Sequence, residues 1–383
     1  MVVLNGLRTF RYQLVEWLKL HRRIILLVLW FIFALASGGA YAFFAQYFSL
    51  PVVNPTGVLQ DGSLVLLSSA KTKDQPHPIS GIFYSSEESS AWAGHRPLAV
   101  MIDNHALARP HQFGLQKADV IYEAVAEGGI TRFLAVFHSQ EVEKLGPVRS
   151  SRVYYIDWAL EFPAYYAHVG GASKPGPADI NAYITKNKVL SLNQFRLGAA
   201  TYTYGGDVML GGTILSHINY TSTAKLWEAG ERLYPGTNFL PEFAIWKFKA
   251  EVPFGERPES QEISFDFDGL PLYAGRWVYD KKNNYYLRFQ GGTPHIDQAT
   301  GKQLFAKNVA LVSMIQRSAG DGTNHRLYTT TGQGDAVLYF DGKETLATWK
   351  RSSLSSRMLF YERGTDKEVE FNRGLTWIEI IPK

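Results

Sequence analysis

The rhythm of apolar and polar residues changes three times along the chain. Ile24 to Phe48 is almost wholly apolar, and no acid or base stands between Arg23 and Asp61. A run of that length spans a bilayer, which takes about 20 apolar residues as a helix. Residues 49–95 carry VNPTG, KTKDQPHP and SSEESSAWAG without a sustained period, which predicts a tether. From Arg96 to about Tyr234, short apolar runs alternate with helical ones. Strands are expected at Leu98–Ile102, Val120–Ala126 and Ile130–Phe137, the last two joined by Gly128-Gly129 in a tight turn. Ser150-Ser151 offers the N-cap of a helix through about Phe162, and Ala164–Val169 reads as a strand closed by Gly170-Gly171. Helices follow at about 177–186 and 222–233, the second capped from Thr221-Ser222. From Glu262 the runs ISFDF, RWVYD, YYLRF, VALVSMI, AVLYF, MLFYE and LTWIEII are separated by turn signals and read as antiparallel strands. The expected organisation is a tail over 1–23, a transmembrane anchor over 24–48 and a tether over 49–95. An α/β domain with a mixed sheet then occupies 96–240, and a mainly antiparallel β domain 262–383.

Charge gives the anchor a direction. Five of the 39 Lys and Arg residues and one of the 35 Asp and Glu residues precede Phe48, leaving 34 of each beyond it. The basic excess lies on the N-terminal side of the apolar run, which places that side in the cytoplasm and the rest outside. Ala34-Leu35-Ala36 and Ala40-Tyr41-Ala42 also resemble signal-peptide cleavage sites, so the alternative is a secreted chain released by cleavage. The balanced outer part argues against a nucleic-acid footprint. The absence of cysteine excludes disulfides, thiol nucleophiles and a lipid-modified Cys in the chain as read.

The candidate chemistry lies between Arg96 and Gly171, where charges interrupt apolar runs. Asp103-Asn104 closes the first strand and His168 a later one, at strand ends where α/β sheets gather their sites. With a two-residue hairpin turn, Val125 faces Arg132, and Glu123, Glu127 and Arg132 share one face of the sheet. The two carboxylates then stand about 13 Å apart, too far for a glycosidase pair. Arg149 and Arg152 flank a predicted helix start and could hold phosphate or carboxylate. The expected ligand-binding set is therefore Asp103, Asn104, Glu123, Glu127, Arg132, Arg149, Arg152 and His168, of which Asp103, Glu123, Arg132, Arg149, Arg152 and His168 are expected to converge on one open cleft. The competing reading is a paired structural network. Asp103, His105 and His111 follow no metal-ligand spacing, and no Gly-x-Ser-x-Gly or Walker motif occurs, so neither metal nor cofactor is expected. Trp277, Trp349 and Trp377 read as core, with a sugar-stacking surface as the alternative.

An ordered set of segments points to a family. PISGI at 78–82, RPLAVMIDN at 96–104, ARP at 108–110, ADVIYE at 118–123, EGGITRF at 127–133 and GPVRSSR at 146–152 closely resemble the YerB-like bacterial family. The resemblance continues through SHINYTS at 216–222 and GLTWI at 374–378, although the family more often shows Pro-His-Asn-x-Tyr-Thr-Ser at the former. It implies two domains of unknown function in an exported envelope protein, typically a lipoprotein; here the apolar segment stands in place of the lipid anchor. The expected function is an extracytoplasmic protein whose α/β domain binds an anionic wall precursor, wall polymer or protein partner. Two alternatives stand beside it: an envelope hydrolase using Asp103 and Glu123 with Arg149 and Arg152 as anion holders, and a scaffold for partner proteins.

Overall fold

The computed structural model describes residues 72–237 and 244–383, with scattered positions between 17 and 37. The expected anchor and the first part of the tether lie largely outside the described residues, among which no helix is long and apolar enough to cross a membrane. Thr72–Lys383 is one compact unit.

Its centre is a ten-stranded mixed sheet. In chain order the α/β region supplies β1 (Leu98–Asp103), β2 (Val120–Glu127), β3 (Ile130–Phe137), β4 (Tyr165–His168) and β5 (Ser191–Asn193). A long hairpin, β6 (Thr203–Leu210) and β7 (Thr213–Tyr220), stands apart from this sheet. The C-terminal region contributes a smaller antiparallel sheet, β8 (Glu262–Phe265), β9 (Gly275–Asp280) and β10 (Tyr285–Gln290). It then returns to the central sheet with β11 (Asn308–Met314), β12 (Gly332–Phe340), β13 (Lys343–Arg351), β14 (Leu359–Glu362) and β15 (Thr376–Pro382). The spatial order is β14-β13-β12-β11-β15-β2-β3-β1-β4-β5. β15 runs parallel to both β11 and β2, so a C-terminal strand joins the two regions in one sheet. The α/β character with a mixed sheet and the largely antiparallel C-terminal region agree with the sequence reading.

Both faces of the sheet are buried, which explains why β1 and β15 read as continuous apolar runs rather than alternating ones. One face packs Met101, Tyr122, Leu134, Ile378 and Ile380 against Tyr154, Tyr155 and Trp158 of a helix, Val153–Leu160. The other packs Phe133, Phe137 and Trp377 against Trp277 and Tyr286 of the small sheet and against Leu226 and Trp227 of a second helix, Thr223–Leu233. Trp277, Trp349 and Trp377 are all core.

Three details differ from the sequence reading. Residues 72–95, expected as tether, are folded: Ser85 and Glu88 form a capping box at the start of a helix, Ser86–Ala93, and buried His77 meets His138 at 2.9 Å. The first helix of the α/β region is capped at Arg152 rather than at Ser150 or Ser151, whose hydroxyl bonds Tyr166 at 2.6 Å. A β-bulge between Val125 and Glu127 places Arg132 opposite Ala124 instead of Val125. An inserted residue reverses the side-chain alternation. Glu123 therefore faces the small sheet, while Glu127 and Arg132 lie on the opposite face.

Candidate functional site

The eight candidate residues do not share one open cleft; they divide into three groups. Five gather where β1 and β2 end and β3 begins, with the loop before the first α/β helix lying along the end of β1. Asp103 N–H donates to Pro147 O at 2.9 Å and Arg149 N–H to Met101 O at 2.9 Å. This brings Arg149 Nε to 3.4 Å from Asp103 Oδ2, an oxygen that also accepts the hydroxyl of Ser216, midway along β7. Beside it, Glu127 sits between two guanidiniums. Arg132 Nη2 donates to it at 2.9 Å, and Arg152 pairs with its other oxygen. Burial lowers the pKa of both Arg149 and Arg152, with the Asp103 charge opposing the shift at Arg149. The three guanidiniums are thus held mainly by carboxylates and carbonyls of the protein itself.

Asn104 and Glu123 belong to a second group, between the central sheet and the small sheet. Glu123 and Glu379 stand opposite each other on β2 and β15, a costly placement for two like charges. Arg288 of β10 answers both: Nη1 donates to Glu379 Oε1 at 2.6 Å and Nη2 pairs with Glu123. Its guanidinium lies 4.4 Å from the Trp377 ring centre and 5.0 Å from that of Trp277. Gln290 and Thr131 donate to Glu123 Oε1 at 2.7 and 2.6 Å, and Asn104 donates to the same oxygen at 3.1 Å. His295 accepts from Arg288 Nε and donates to Gln112, and burial followed by the neighbouring guanidiniums holds its pKa well below the ordinary value. Glu379 moves the other way: burial pushes its pKa well above the carboxylate range, and the charge of Glu123 adds to the rise while Arg288 opposes it. Glu123, Arg288 and Glu379 are fully buried, so the acid role expected of Glu123 in the hydrolase alternative has no exposed group to perform it.

His168 stands alone. Its Nδ1 lies 2.8 Å from Gly170 O and its Nε2 2.8 Å from Ser191 Oγ, and burial pushes its pKa down to about 4. It is a neutral, hydrogen-bonded core histidine. Among the described residues no group of three or more His, Asp or Glu side chains is arranged to hold a metal ion.

The sequence reading passed over Arg288, Gln290 and Glu379. A signal was present: in YYLRFQ, period 2 puts Arg288 and Gln290 on the same face as Tyr286, and Glu379 interrupts the apolar run TWIEII.

It also passed over a cleft of about 770 Å³ at the seam between the α/β region and the C-terminal region. Asp297 stitches this seam, accepting Gly114 N–H at 2.9 Å and Gln116 N–H at 2.8 Å. Lys117, Lys144, Lys307 and Arg373 line it. Lys307 is paired with Glu251, whereas Lys117, Lys144 and Arg373 make no ion pair among the described residues. Lys144 Nζ lies 3.8 Å from the ring centre of Phe113 and 4.2 Å from that of Tyr220. Past Lys144 the cleft adjoins a second hollow of about 610 Å³ that shares Phe113, Glu143 and Lys144 with it.

Comparison with known proteins places this architecture. Residues 84–234 match the family model described as the N-terminal domain of a protein of unknown function, DUF3048, and residues 269–378 match the corresponding C-terminal domain. The chain is 30% identical over 305 residues to a Bacillus subtilis (strain 168) protein described as "Putative lipoprotein YerB", covering 75% of this chain and 81% of that one. The crystal structure of the Bacillus subtilis YerB protein superposes with a TM-score of 0.65 at 27% identity, covering 81% of this chain and 97% of the other.

Proposed function

Because the chain belongs to the two-domain, YerB-like DUF3048 family, one relative of which carries a lipoprotein name, we propose that it is an extracytoplasmic envelope protein binding an anionic ligand in the seam cleft. The observation that carries this reading is a set of three cations without carboxylate partners around an opening of about 770 Å³. Ligand pockets typically occupy about 300–1,000 Å³ and favour domain interfaces. Phe113 and Tyr220 add apolar surface beside the Lys144 ammonium, a combination suited to a polyol or sugar that bears anionic groups. The arginines singled out from the sequence already have partners, so the anion site is assigned to the seam rather than to Arg149 and Arg152.

The test is calorimetric titration of the protein with anionic wall fragments, comparing the parent with Lys117→Glu, Lys144→Glu and Arg373→Glu. Binding should weaken at least tenfold in each variant and fall with added salt. Equal affinity in all three would overturn the assignment. The location is tested separately: a reporter fused after Lys383 should be active only outside the cytoplasmic membrane.

A further inference from the structure

The end of β13 and the loop that follows it read Lys350-Arg351-Ser352-Ser353-Leu354-Ser355-Ser356-Arg357, four serines enclosed by cations. Arg351 is its internal brace. Its Nε donates to Ser356 O at 2.9 Å, Nη2 to Leu354 O and to Asp157 O at 2.5 Å each, and Nη1 to Thr330 O at 3.2 Å. Those bonds wrap the loop around one guanidinium and fix its backbone. The hydroxyls remain together on the loop: Ser352 and Ser356 meet at 2.8 Å, Ser353 and Ser356 at 2.7 Å.

Arg357 is in the opposite condition. It is 97% buried, at 3% relative exposure, yet its Nε and Nη1 have no hydrogen-bond partner. Its guanidinium carbon lies 3.9 Å from the Phe162 ring centre and 3.8 Å from that of Trp246. Rings hold a guanidinium through its π faces, while its five donors lie in the plane and point outward along the edge. A buried cation with unmade hydrogen bonds is costly unless an acceptor completes it. Burial accordingly lowers its pKa, with the nearby Glu161 charge opposing.

Arg357 lines a pocket of about 430 Å³ together with Lys350, Arg351, Ser352, Ser355 and Ser356. The described lining contains three cations and three serine hydroxyls but no carboxylate; from outside it Asp366 reaches Lys350 at 3.0 Å and Glu161 lies 3.5 Å from Arg351 Nε, whereas Arg357 has no ion pair among the described residues. In that it differs from the seam cleft, whose lining includes Asp119, Glu143 and Asp297, and the two share no lining residue. Guanidinium edge, ammonium and clustered hydroxyl donors form the donor set that recognises a tetrahedral phosphate, whose oxygens accept several short bonds at once.

We propose that the Lys350–Arg357 loop is a phosphate-binding site, taking the phosphoryl group of a soluble phosphate ester or of a lipid headgroup. The site is independent of the seam cleft, and either assignment can fail without the other.

The test measures binding to the full chain of inorganic phosphate, glycerol 3-phosphate and phosphatidylglycerol vesicles, with phosphatidylcholine vesicles as the reference. Saturable, salt-sensitive binding of inorganic phosphate or glycerol 3-phosphate is expected for the soluble ester. Binding to phosphatidylglycerol alone identifies the headgroup as the source and equally supports the site. Arg357→Lys keeps the charge but loses the fork, and should weaken binding at least tenfold. Because Arg357 is core, Ser352→Asp and Ser355→Asp provide the second arm: both positions are exposed, so the fold is retained while a repelling charge enters the pocket. Either aspartate should abolish binding without changing affinity at the seam. Failure of every probe at millimolar concentration, or binding indifferent to both aspartates, would overturn the proposal.

Discussion

The Glu123–Arg288–Glu379 network makes a prediction whose sign is counterintuitive for a buried ionic group: Glu379→Gln should stabilise the protein as pH rises. Glu379 Oε1 accepts from Arg288 at 2.6 Å and from Trp277 Nε1 at 3.0 Å, and both bonds survive with the glutamine carbonyl in its place. The glutamine amide occupies the position of the second carboxyl oxygen and donates toward Glu123, as the protonated acid does. The folded pKa of Glu379 is raised well above its unfolded value of 4.5, so the folded protein keeps a proton that the unfolded chain releases. Stability contributed by this group is therefore complete below about pH 4.5 and declines as pH climbs toward the folded pKa. The slope is about 1.4 kcal/mol per pH unit, and glutamine, having no proton to lose, is free of it. From pH 5 upward the variant should gain steadily on its parent, until the folded carboxyl also ionises. The assay is urea denaturation of both proteins at a series of pH values. Parallel stability curves, with a pH-independent difference, would show Glu379 ionised alike in both states and overturn the prediction. Arg288→Ala provides the contrast: it strands the buried Glu123 carboxylate, removes a donor from Glu379, and should cost about 3–5 kcal/mol.

Two further outcomes are expected. The pKa of His168 is pushed down to about 4, so its contribution is complete above about pH 6.5 and is lost as pH falls toward 4; His168→Gln should lessen acid sensitivity by about 3 kcal/mol over that interval in the same denaturation series. A fragment beginning at Thr72 should fold cooperatively, whereas one beginning at Ser90 loses His77 from beneath His138 and should melt at a lower temperature by calorimetry.

Elements built from strong local patterns were legible in the sequence. Leu98–Asp103, Ile130–Phe137 and the helix Thr223–Leu233 with its Ser222 cap fall within a residue of their expected bounds. Lys343–Arg351 did not read as a strand, because its outward face carries Glu344, Leu346 and Lys350 beside a buried Ala347 and Trp349, which blurs the apolar alternation. The candidate site was less legible, for a physical reason. A one-residue bulge has no composition of its own, yet it decides whether Glu123 faces Glu127 or Arg288. Partners such as Arg288 and Glu379 come from more than a hundred residues along the chain, and pairing at that distance leaves only a weak trace: a charge on the inward side of a strand.

The position of β15 between β11 and β2 dictates an order of assembly. β2 leaves the ribosome long before Thr376–Pro382 exists, so through most of synthesis one side of β2 exposes unpaired backbone groups. The α/β region cannot close its sheet as an early, self-contained unit, and the half-formed edge is a hazard for intermolecular pairing. The sequence that locks the fold arrives last, which leaves the earlier segments extensible and commits the molecule to its native sheet only once Thr376–Pro382 has been made.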